Sequence, residues 1–253
     1  MSYIEQKEKN GETYSYFVKK FSFMGKQYKI NNYIGKAPLV SKEEYLQKNI
    51  EKITWQEFEI KKAFFPKEFA RGALLEKTGK EAIFLNNSME ARQNQPIVEK
   101  QMVKEFVYNS NNIEGSKLPK KELEKIFENK KSSYANKNEI REAENSIKAF
   151  RYLKEEFYFS LPQIKKLYKI LTKGLVMETG DYYPKGFRKT EIVVGNEETA
   201  KPGQIGKELE KLIGWHKKNK KNFALKQAFD FHSRYEAIHP FRDANGRTGR
   251  LIM

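Results

Sequence analysis

The chain has 253 residues and no cysteine, and its 49 lysines and arginines outweigh 33 acidic residues to give a formal net charge of +16. This length suits one large domain or two smaller ones. The lack of cysteine excludes disulfides, zinc–thiolate sites and thiol nucleophiles. No stretch approaches the roughly 18 apolar residues that cross a membrane, and the first residues lack the apolar core of a secretory signal. We therefore expect a cytoplasmic protein without a membrane partner.

Lysine supplies most of the positive charge, and it is interleaved with glutamate along predicted helices, as in Lys120–Lys125. This pattern is typical of solvated helix faces, so nucleic acid is an open but less favoured partner. Arginine behaves differently, because four arginines crowd the last twenty positions: Arg234, Arg242, Arg247 and Arg250. Planar, bidentate donors concentrated in one segment favour phosphate binding there.

The first third of the chain mixes strand and helix signals. Residues 12–35 alternate aromatic and polar side chains around one glycine turn, which predicts a β-hairpin. Ser41 followed by Glu44 fits a capping box that opens a helix running through Ile53. Residues 66–95 are ambiguous, with helical pieces expected between the glycines and the proline.

From Pro96 onward, the pattern predicts helices almost throughout. Gly115 can end the first of them. Further helices are predicted at Lys120–Phe127, Glu139–Phe157, Pro162–Met177, Ile205–Lys218 and Phe223–Ile238. A short β-branched run at 191–196 predicts a small hairpin that projects from the helical body. The predicted fold is mainly α, with an N-terminal β-hairpin and helices over residues 1–95 and a helical bundle over residues 96–253.

The most informative segment runs from His239 to Arg250 and reads His-Pro-Phe-Arg-Asp-Ala-Asn-Gly-Arg-Thr-Gly-Arg. Pro240 disfavours helical geometry at His239, so the preceding helix should end there and present the imidazole at its exit. Phe241 is interpreted as the apolar anchor of the loop. Asp243 is a hard oxygen ligand of the kind that Mg²⁺ takes together with phosphate oxygens.

The second half of this segment favours an anion. Small or turn-forming residues at 244–246 let backbone N–H groups approach an anion closely, and a helix beginning near Gly246 aims its positive end at the same place. Arg247 and Arg250 lie three positions apart, hence on one face of that helix. Each feature alone has an ordinary structural explanation. Together, a base, a metal ligand, an anion-binding turn and two guanidiniums within a dozen residues favour a nucleotide site.

The other two histidines carry less information. His232 lies near the core-facing stripe of its helix, formed by Phe231, Tyr235 and Ile238, which favours a packing role. His216 is expected at the surface or at an interface. Histidines scattered in this way do not predict a metal site.

The segment resembles the signature of the Fic family (filamentation induced by cAMP), His-Pro-Phe-x-Asp/Glu-Gly-Asn-Gly-Arg-x-x-Arg. It matches at every specified position except Ala244, where the family usually has glycine, and we expect this small residue to preserve function. The resemblance covers about residues 96–253. Ser110–Gly115 is similar to the family's inhibitory motif, Ser/Thr-x-x-x-Glu-Gly/Asn. The residues similar to its target-docking flap are Gly186-Phe187-Arg188 and Ile192, Val193 and Val194.

The resemblance implies a Fic-type helical bundle and an enzyme that moves AMP from ATP, with Mg²⁺, onto a Ser, Thr or Tyr hydroxyl of a protein. The implied roles are general base for His239, Mg²⁺ ligand for Asp243, anion hole for Asn245 and Gly246, β-phosphate binding for Arg247 and γ-phosphate binding for Arg250. Family members that transfer the γ-phosphate have lysine at the position of Gly246, so the glycine favours AMP transfer.

The resemblance also implies a regulatory role for Glu114, in the motif that begins at Ser110. This glutamate is expected to pair with Arg250 and to occupy the γ-phosphate site, which would inhibit transfer. The exposed edge of the flap at 192–194 is expected to pair with an extended target segment.

Several alternatives stay open. Glu114 could instead orient water and make the protein an AMP-removing or bifunctional enzyme. A non-enzymatic alternative is an inactive Fic-fold binding module, or a nucleic-acid-associated regulator that uses residues 1–95. Family members often self-associate, so a homodimer is also open. Three residues follow Arg250, and we expect the chain to be a truncated piece of a longer protein.

Overall fold

The computed structural model describes residues 1–36, 40–65, 73–91, 95–195, 197–219 and 224–253. The chain divides into two compact units, Met1–Val98 and Glu99–Met253. Helix is the dominant element within the described ranges, as expected from the sequence. Among the helices that the structure describes, none pairs the length of a membrane span with the apolar composition that one needs.

The first unit combines a three-stranded antiparallel sheet, in the order β1-β2-β3, with helices. Its elements are β1 (Ser2–Lys9), β2 (Glu12–Phe23), β3 (Lys26–Lys36), α1 (Lys42–Lys48), α2 (Ile50–Lys62) and α3 (Ala73–Ala91). The predicted hairpin is confirmed as β2 and β3. Strand β1 was not predicted, although Asn10 and Gly11 both adopt the left-handed conformation of a type I′ hairpin turn.

The Ser41 half of the capping box is confirmed, because Ser41 Oγ accepts a hydrogen bond from the Glu44 amide at 3.1 Å, while the Glu44 carboxylate accepts from Lys48. The helix that it opens is shorter than predicted: it breaks at Asn49 and resumes as α2. Within the ambiguous stretch 66–95, the described residues 73–91 form the single helix α3, while 66–72 and 92–94 lie outside the described residues.

The second unit is helical apart from one small hairpin. Its elements are most of α4 (Gln95–Ile113), then α5 (Lys120–Phe127), α6 (Lys137–Glu155), α7 (Leu161–Leu171), β4 (Val193–Val194), β5 (Glu197–Glu198), a 3₁₀ turn (Pro202–Gln204), α8 (Ile205–Lys218), α9 (Ala224–Ile238) and α10 (Asn245–Ile252). The predicted bounds of α5 and α8 are confirmed. Phe223 and Asn196, which the predictions included, lie outside the described residues.

Two predicted helices were too long. Helix α6 ends at Glu155 rather than at Phe157. Helix α7 ends at Leu171 rather than at Met177. Gly174 follows with φ of 68°, a left-handed conformation that interrupts the helix. The chain then forms the loop that carries Tyr183 toward the loop after α9.

The core of the second unit supports that loop from below. The predicted stripe of Phe231, Tyr235 and Ile238 on α9 is confirmed as buried. Phe241 is fully buried and stacks on Tyr168 with ring centroids 3.8 Å apart and planes 2° from parallel. Offset or parallel aromatic stacking adds to the burial of both rings, so Phe241 anchors the loop as predicted.

Candidate active site

His239 stands where α9 ends, as Pro240 predicted. Its backbone φ is +48°, a left-handed conformation that is uncommon for a residue with a side chain. Its amide still donates to the Tyr235 carbonyl at 3.0 Å. This hydrogen bond fixes the backbone from which the imidazole ring extends. Nδ1 of His239 lies 3.6 Å from Oε2 of Glu236 and has no hydrogen-bond partner within the described part of the chain. The sequence did not single out Glu236.

The loop after His239 is closed by its own asparagine. The Asn245 side chain accepts from the Phe241 amide and donates to the Phe241 carbonyl, both at 2.9 Å. This buried side chain therefore holds the loop in shape. Because the side chain is engaged with the Phe241 backbone, a contact of Asn245 with an anion would have to come from its backbone amide. Ala244 is buried with φ of 60° and ψ of 21°, which explains why glycine is usual at this position in the family signature.

Helix α10 begins at Asn245, one residue before the predicted start. The amides of its first turn have no acceptor within the helix, which makes them an anion site. Gly246 has ordinary helical geometry, so its backbone does not require glycine. A β-carbon there would instead lie 2.8 Å from Nη1 of Arg250 and closer still to Oε1 of Glu114. Space for the Glu114 carboxylate is therefore what Gly246 provides.

Asp243 faces the cleft beside α10, with 46% of its side chain exposed. Oδ2 accepts a hydrogen bond from the Tyr183 hydroxyl at 2.9 Å, and Oδ1 accepts from the Ala244 amide. Burial, followed by the charge of Asp243, raises the pKa of Tyr183 far above its ordinary value, so this hydroxyl stays a donor. Tyr183 was not predicted to belong to the site, because it lies 60 positions from Asp243 in a loop.

The donor set around Asp243 fits Mg²⁺. Each carboxylate oxygen has a second lone pair free, and the cleft of about 410 Å³ beside it also contains Glu142 and Arg247. Within the described residues, no group of three or more histidine or acidic side chains converges as a complete metal cage. Mg²⁺ commonly binds through one carboxylate together with phosphate oxygens and water, which is the arrangement that Asp243 can offer.

Arg247 is only 4% exposed. It forms an ion pair with Glu142 of α6, 105 positions away in sequence, which was not predicted. Burial lowers the pKa of Arg247 to about 10, so the guanidinium stays charged at neutral pH. Its Nε donor is buried and has no hydrogen-bond partner within the described residues.

Arg250 is held by both residues of the predicted inhibitory motif. Nε donates to Ser110 Oγ at 3.0 Å, and Nη2 donates to the Ser110 carbonyl at 3.0 Å and to Oε1 of Glu114 at 2.6 Å. Helix α4 ends at Ile113, and Gly115 follows with φ of 98°, so the chain turns where the glycine was expected to end the helix. This turn places the Glu114 carboxylate over the first turn of α10.

The predicted flap is a hairpin whose two strands have two residues each, with Val193 paired to Glu198 and Val194 to Glu197. Val193 is 64% exposed and Val194 is 41% exposed. Ile192 precedes the strand rather than lying in it. Arg188 connects the flap region to the end of α9, because its Nε donates to the His239 carbonyl at 2.7 Å.

The other two histidines, His232 and His216, make packing contacts. His232 packs beneath Gly249 of α10, and burial lowers its pKa. The expectation that His216 lies at the surface or an interface was incomplete, because its ring stacks on Phe159 with centroids 4.7 Å apart and so contributes to packing.

These features match known proteins. The profile of the Fic/DOC family matches residues 158–253. A probable protein adenylyltransferase of Aquifex aeolicus is 27% identical over 115 residues, which cover 42% of this chain and 36% of that protein. The protein adenylyltransferase Fic of Culex quinquefasciatus is 27% identical over 171 residues, which cover 61% of this chain and 32% of that protein. The chain thus spans about a third of the length of these relatives.

Solved structures agree on the fold. A Fic family protein from Desulfovibrio desulfuricans has a TM-score of 0.51 at 23% identity, covering 61% of this chain and 46% of that one. A Fic domain containing signaling protein from Bacteroides thetaiotaomicron has a TM-score of 0.53 at 18% identity, covering 80% and 70%. The comparisons identify residues 158–253 as a Fic/DOC family domain, and the solved structures show that the chain has the fold of Fic proteins.

Proposed function

We propose that this chain is a Mg²⁺-dependent protein adenylyltransferase that moves AMP from ATP onto a Ser, Thr or Tyr hydroxyl of a target protein. The names of its relatives support this activity. The observation that supports the proposal is the start of α10, whose first-turn amides have no acceptor within the helix and lie in the segment between His239 and Arg250. Such a site suits a substrate with several adjacent phosphates.

In the proposed reaction, the target hydroxyl oxygen attacks the α-phosphorus of ATP and the bond from this phosphorus to the bridging oxygen of the β-phosphate breaks. Pyrophosphate leaves, and the hydroxyl proton passes to Nε2 of His239. The first-turn amides of α10 would stabilise the negative charge that develops on the α-phosphate. Arg247 and Arg250 would hold the β- and γ-phosphates. Asp243 would hold Mg²⁺, which neutralises phosphate charge when bound.

We further propose that Glu114 keeps the enzyme inhibited. Three donations from Arg250 go to Ser110 and Glu114, so a γ-phosphate would have to displace a carboxylate before it could use this arginine. Two anions cannot share one guanidinium at close range without strong repulsion. ATP would therefore bind in a pose that leaves the α-phosphate poorly placed for attack.

Radiolabelled ATP tests both parts of the proposal. Glu114→Gly should raise auto-AMPylation above that of the wild-type chain, and adding His239→Ala to that variant should abolish it. Glu128→Gly, at the exposed end of α5, is the matched control and should behave as wild type. Equal labelling of the wild-type and Glu114→Gly chains would remove the inhibitory role.

The same variants separate transfer from removal of AMP. Intact mass spectrometry of candidate proteins after incubation with ATP, Mg²⁺ and the Glu114→Gly chain should show the gain of one AMP. Release of AMP from a modified protein by the wild-type chain, but not by Glu114→Gly, would instead assign Glu114 to the hydrolytic reaction.

A further inference from the structure

Arg188 lies at the base of the flap and is nearly fully buried, with 4% exposed. Its Nε donates to the His239 carbonyl at 2.7 Å, and Nη1 donates to the Thr190 carbonyl at 2.6 Å. Nη2 donates to Thr199 Oγ1 at 2.7 Å and to the Ala200 carbonyl. One guanidinium thus joins both arms of the flap to the residue that bears the candidate base.

Thr199 extends this connection toward the exposed strand. Its hydroxyl accepts from Arg188 and donates to the Ile192 carbonyl at 2.5 Å. Ile192 immediately precedes β4, the strand with the exposed valines. A continuous hydrogen-bond relay therefore runs from Ile192 through Thr199 and Arg188 to the carbonyl of His239.

Backbone contacts fasten the same region. The Arg188 amide donates to the Pro240 carbonyl at 3.0 Å, and the Ala200 amide donates to the Ala237 carbonyl at 3.2 Å. His239 keeps its left-handed conformation between these contacts, a conformation that persists only where its surroundings determine it. Because Arg188 holds the His239 carbonyl directly, a shift of the flap arms moves the peptide that sets the imidazole.

We propose that Arg188 is a positioning residue that couples docking of a target strand on the flap to the orientation of His239, with Thr199 as the link to the strand. The proposal rests on the proposed function above. A lysine could not serve, because its single ammonium cannot reach acceptors on three sides, whereas the planar guanidinium presents five donors in a fixed fork. Rigid support of this kind keeps a base within reach of its substrate proton.

The test compares two substitutions at Thr199, each made in the full chain that also carries Glu114→Gly. Thr199→Val removes the hydroxyl link, and Thr199→Ser retains it. Thr190→Val is the matched control, because Thr190 is exposed and contacts Arg188 through its carbonyl. We expect Thr199→Val to lower the maximal rate of auto-AMPylation about fivefold to tenfold, the value of one hydrogen bond, with an unchanged KM for ATP. Thr199→Ser and Thr190→Val should stay within about twofold of the parent.

Equal rates for Thr199→Val and Thr199→Ser would overturn the coupling, and so would a rise in KM for ATP that accounts for the whole loss. A double-mutant cycle with Arg188→Lys adds a second criterion. Residues of one relay give non-additive effects, whereas additive losses would show that the two positions act separately and would also overturn it.

Nuclear magnetic resonance of the histidine rings tests the relay without an assay of AMP transfer. The chain has three histidines, so the His239 ring signal can be assigned by substitution. This signal should move in Thr199→Val and stay in Thr190→Val. If it moves while no AMP transfer is found, the relay stands and the proposed function fails. If transfer is found and the signal does not move, the relay fails alone.

Discussion

Arg250 donates from Nη2 to Oε1 of Glu114 at 2.6 Å, across 136 positions of sequence. Both side chains are mostly buried, so this ion pair is less screened by solvent than a surface pair. The contact connects the end of α4 to the last helix, α10. Under the proposed function, this contact would decide whether Arg250 can hold a phosphate.

Glu114→Gln should make the chain discriminate between ATP and ADP. In the wild-type chain both nucleotides should bind with similar affinity, because Arg250 is already engaged. Releasing it offers ATP a charged hydrogen bond of about 1.5–3 kcal/mol, or about tenfold to a hundredfold in affinity. Calorimetric titration with each nucleotide measures the ratio. Ser110→Ala, which keeps the ion pair, should change the ratio less, and an unchanged ratio in Glu114→Gln would contradict the prediction.

Glu236→Gln should slow transfer without weakening ATP binding. Glu236 lies 3.6 Å from Nδ1 of His239, where a carboxylate can orient the ring and stabilise the imidazolium that forms. We expect kcat to fall about tenfold, within the range of a positioned acid–base group. Asp230→Asn, on the exposed face of the same helix, is the control. Loss of ATP affinity in step with kcat would argue for a general structural effect instead.

Glu142→Gln should strongly destabilise the second unit. It removes the carboxylate that pairs with Arg247 and leaves the buried guanidinium with the more distant carboxylate of Asp243, 3.9 Å from Nη2. Breaking a buried pair in this way costs about 3–5 kcal/mol. Urea unfolding followed by circular dichroism gives the change, and Glu155→Gln at the exposed end of α6 should shift it by less than about 0.5 kcal/mol. Similar shifts for both variants would mean that Arg247 does not depend on Glu142.

Ala244→Gly should stabilise the chain. Alanine in the left-handed conformation costs about 1–2 kcal/mol, and the greater freedom of glycine in the unfolded chain offsets about 0.5–1 kcal/mol of that. A net gain of up to about 1 kcal/mol is expected. The same exchange at Ala237, inside α9, should instead cost about 1 kcal/mol. Thermal unfolding of both variants decides the sign.

His232 should make folding stability depend on pH. Burial lowers its pKa below 6.5, and Arg250 reinforces the shift while Glu236 and Glu114 oppose it. The unfolded chain therefore takes up this proton near pH 6.5, whereas the folded chain takes it up only at lower pH. The contribution of His232 to folding stability is thus fully present above pH 6.5 and is lost as pH falls toward the folded pKa. Unfolding in buffers on both sides of pH 6.5 should show a shallower decline in His232→Gln. Parallel curves would rule this out.

Much of the fold follows from local pattern. The bounds of α5 and α8 could be predicted because each has a strong apolar periodicity and polar ends. Strand β1 lacks that advantage: its residues after Ile4 are nearly all polar, so its pairing with β2 depends on the Asn10-Gly11 turn rather than on burial. The end of α7 was missed because apolar residues continue past Gly174 in the sequence while the backbone does not continue the helix.

The segment from His239 to Arg250 could be proposed as a site from sequence because its residues lie within a dozen positions. Its contacts with Tyr183 and Glu142 could not be predicted, since these residues lie 60 and 105 positions away from their partners, and Arg188 was predicted only as part of the flap. Glu142 is one of several glutamates on its helix, and nothing in the sequence shows that it is the one that faces a buried arginine. Sequence patterns report which face of an element is buried but not which polar residue meets which across the core.

A β-carbon at position 246 would lie 2.8 Å from Nη1 of Arg250 and closer still to Oε1 of Glu114, so the ends of these two side chains would have to move aside. Under the proposed function, any side chain at 246 would therefore disturb the contact between Glu114 and Arg250. The strength of the restraint by Glu114 would then depend on a glycine in a different element of the chain.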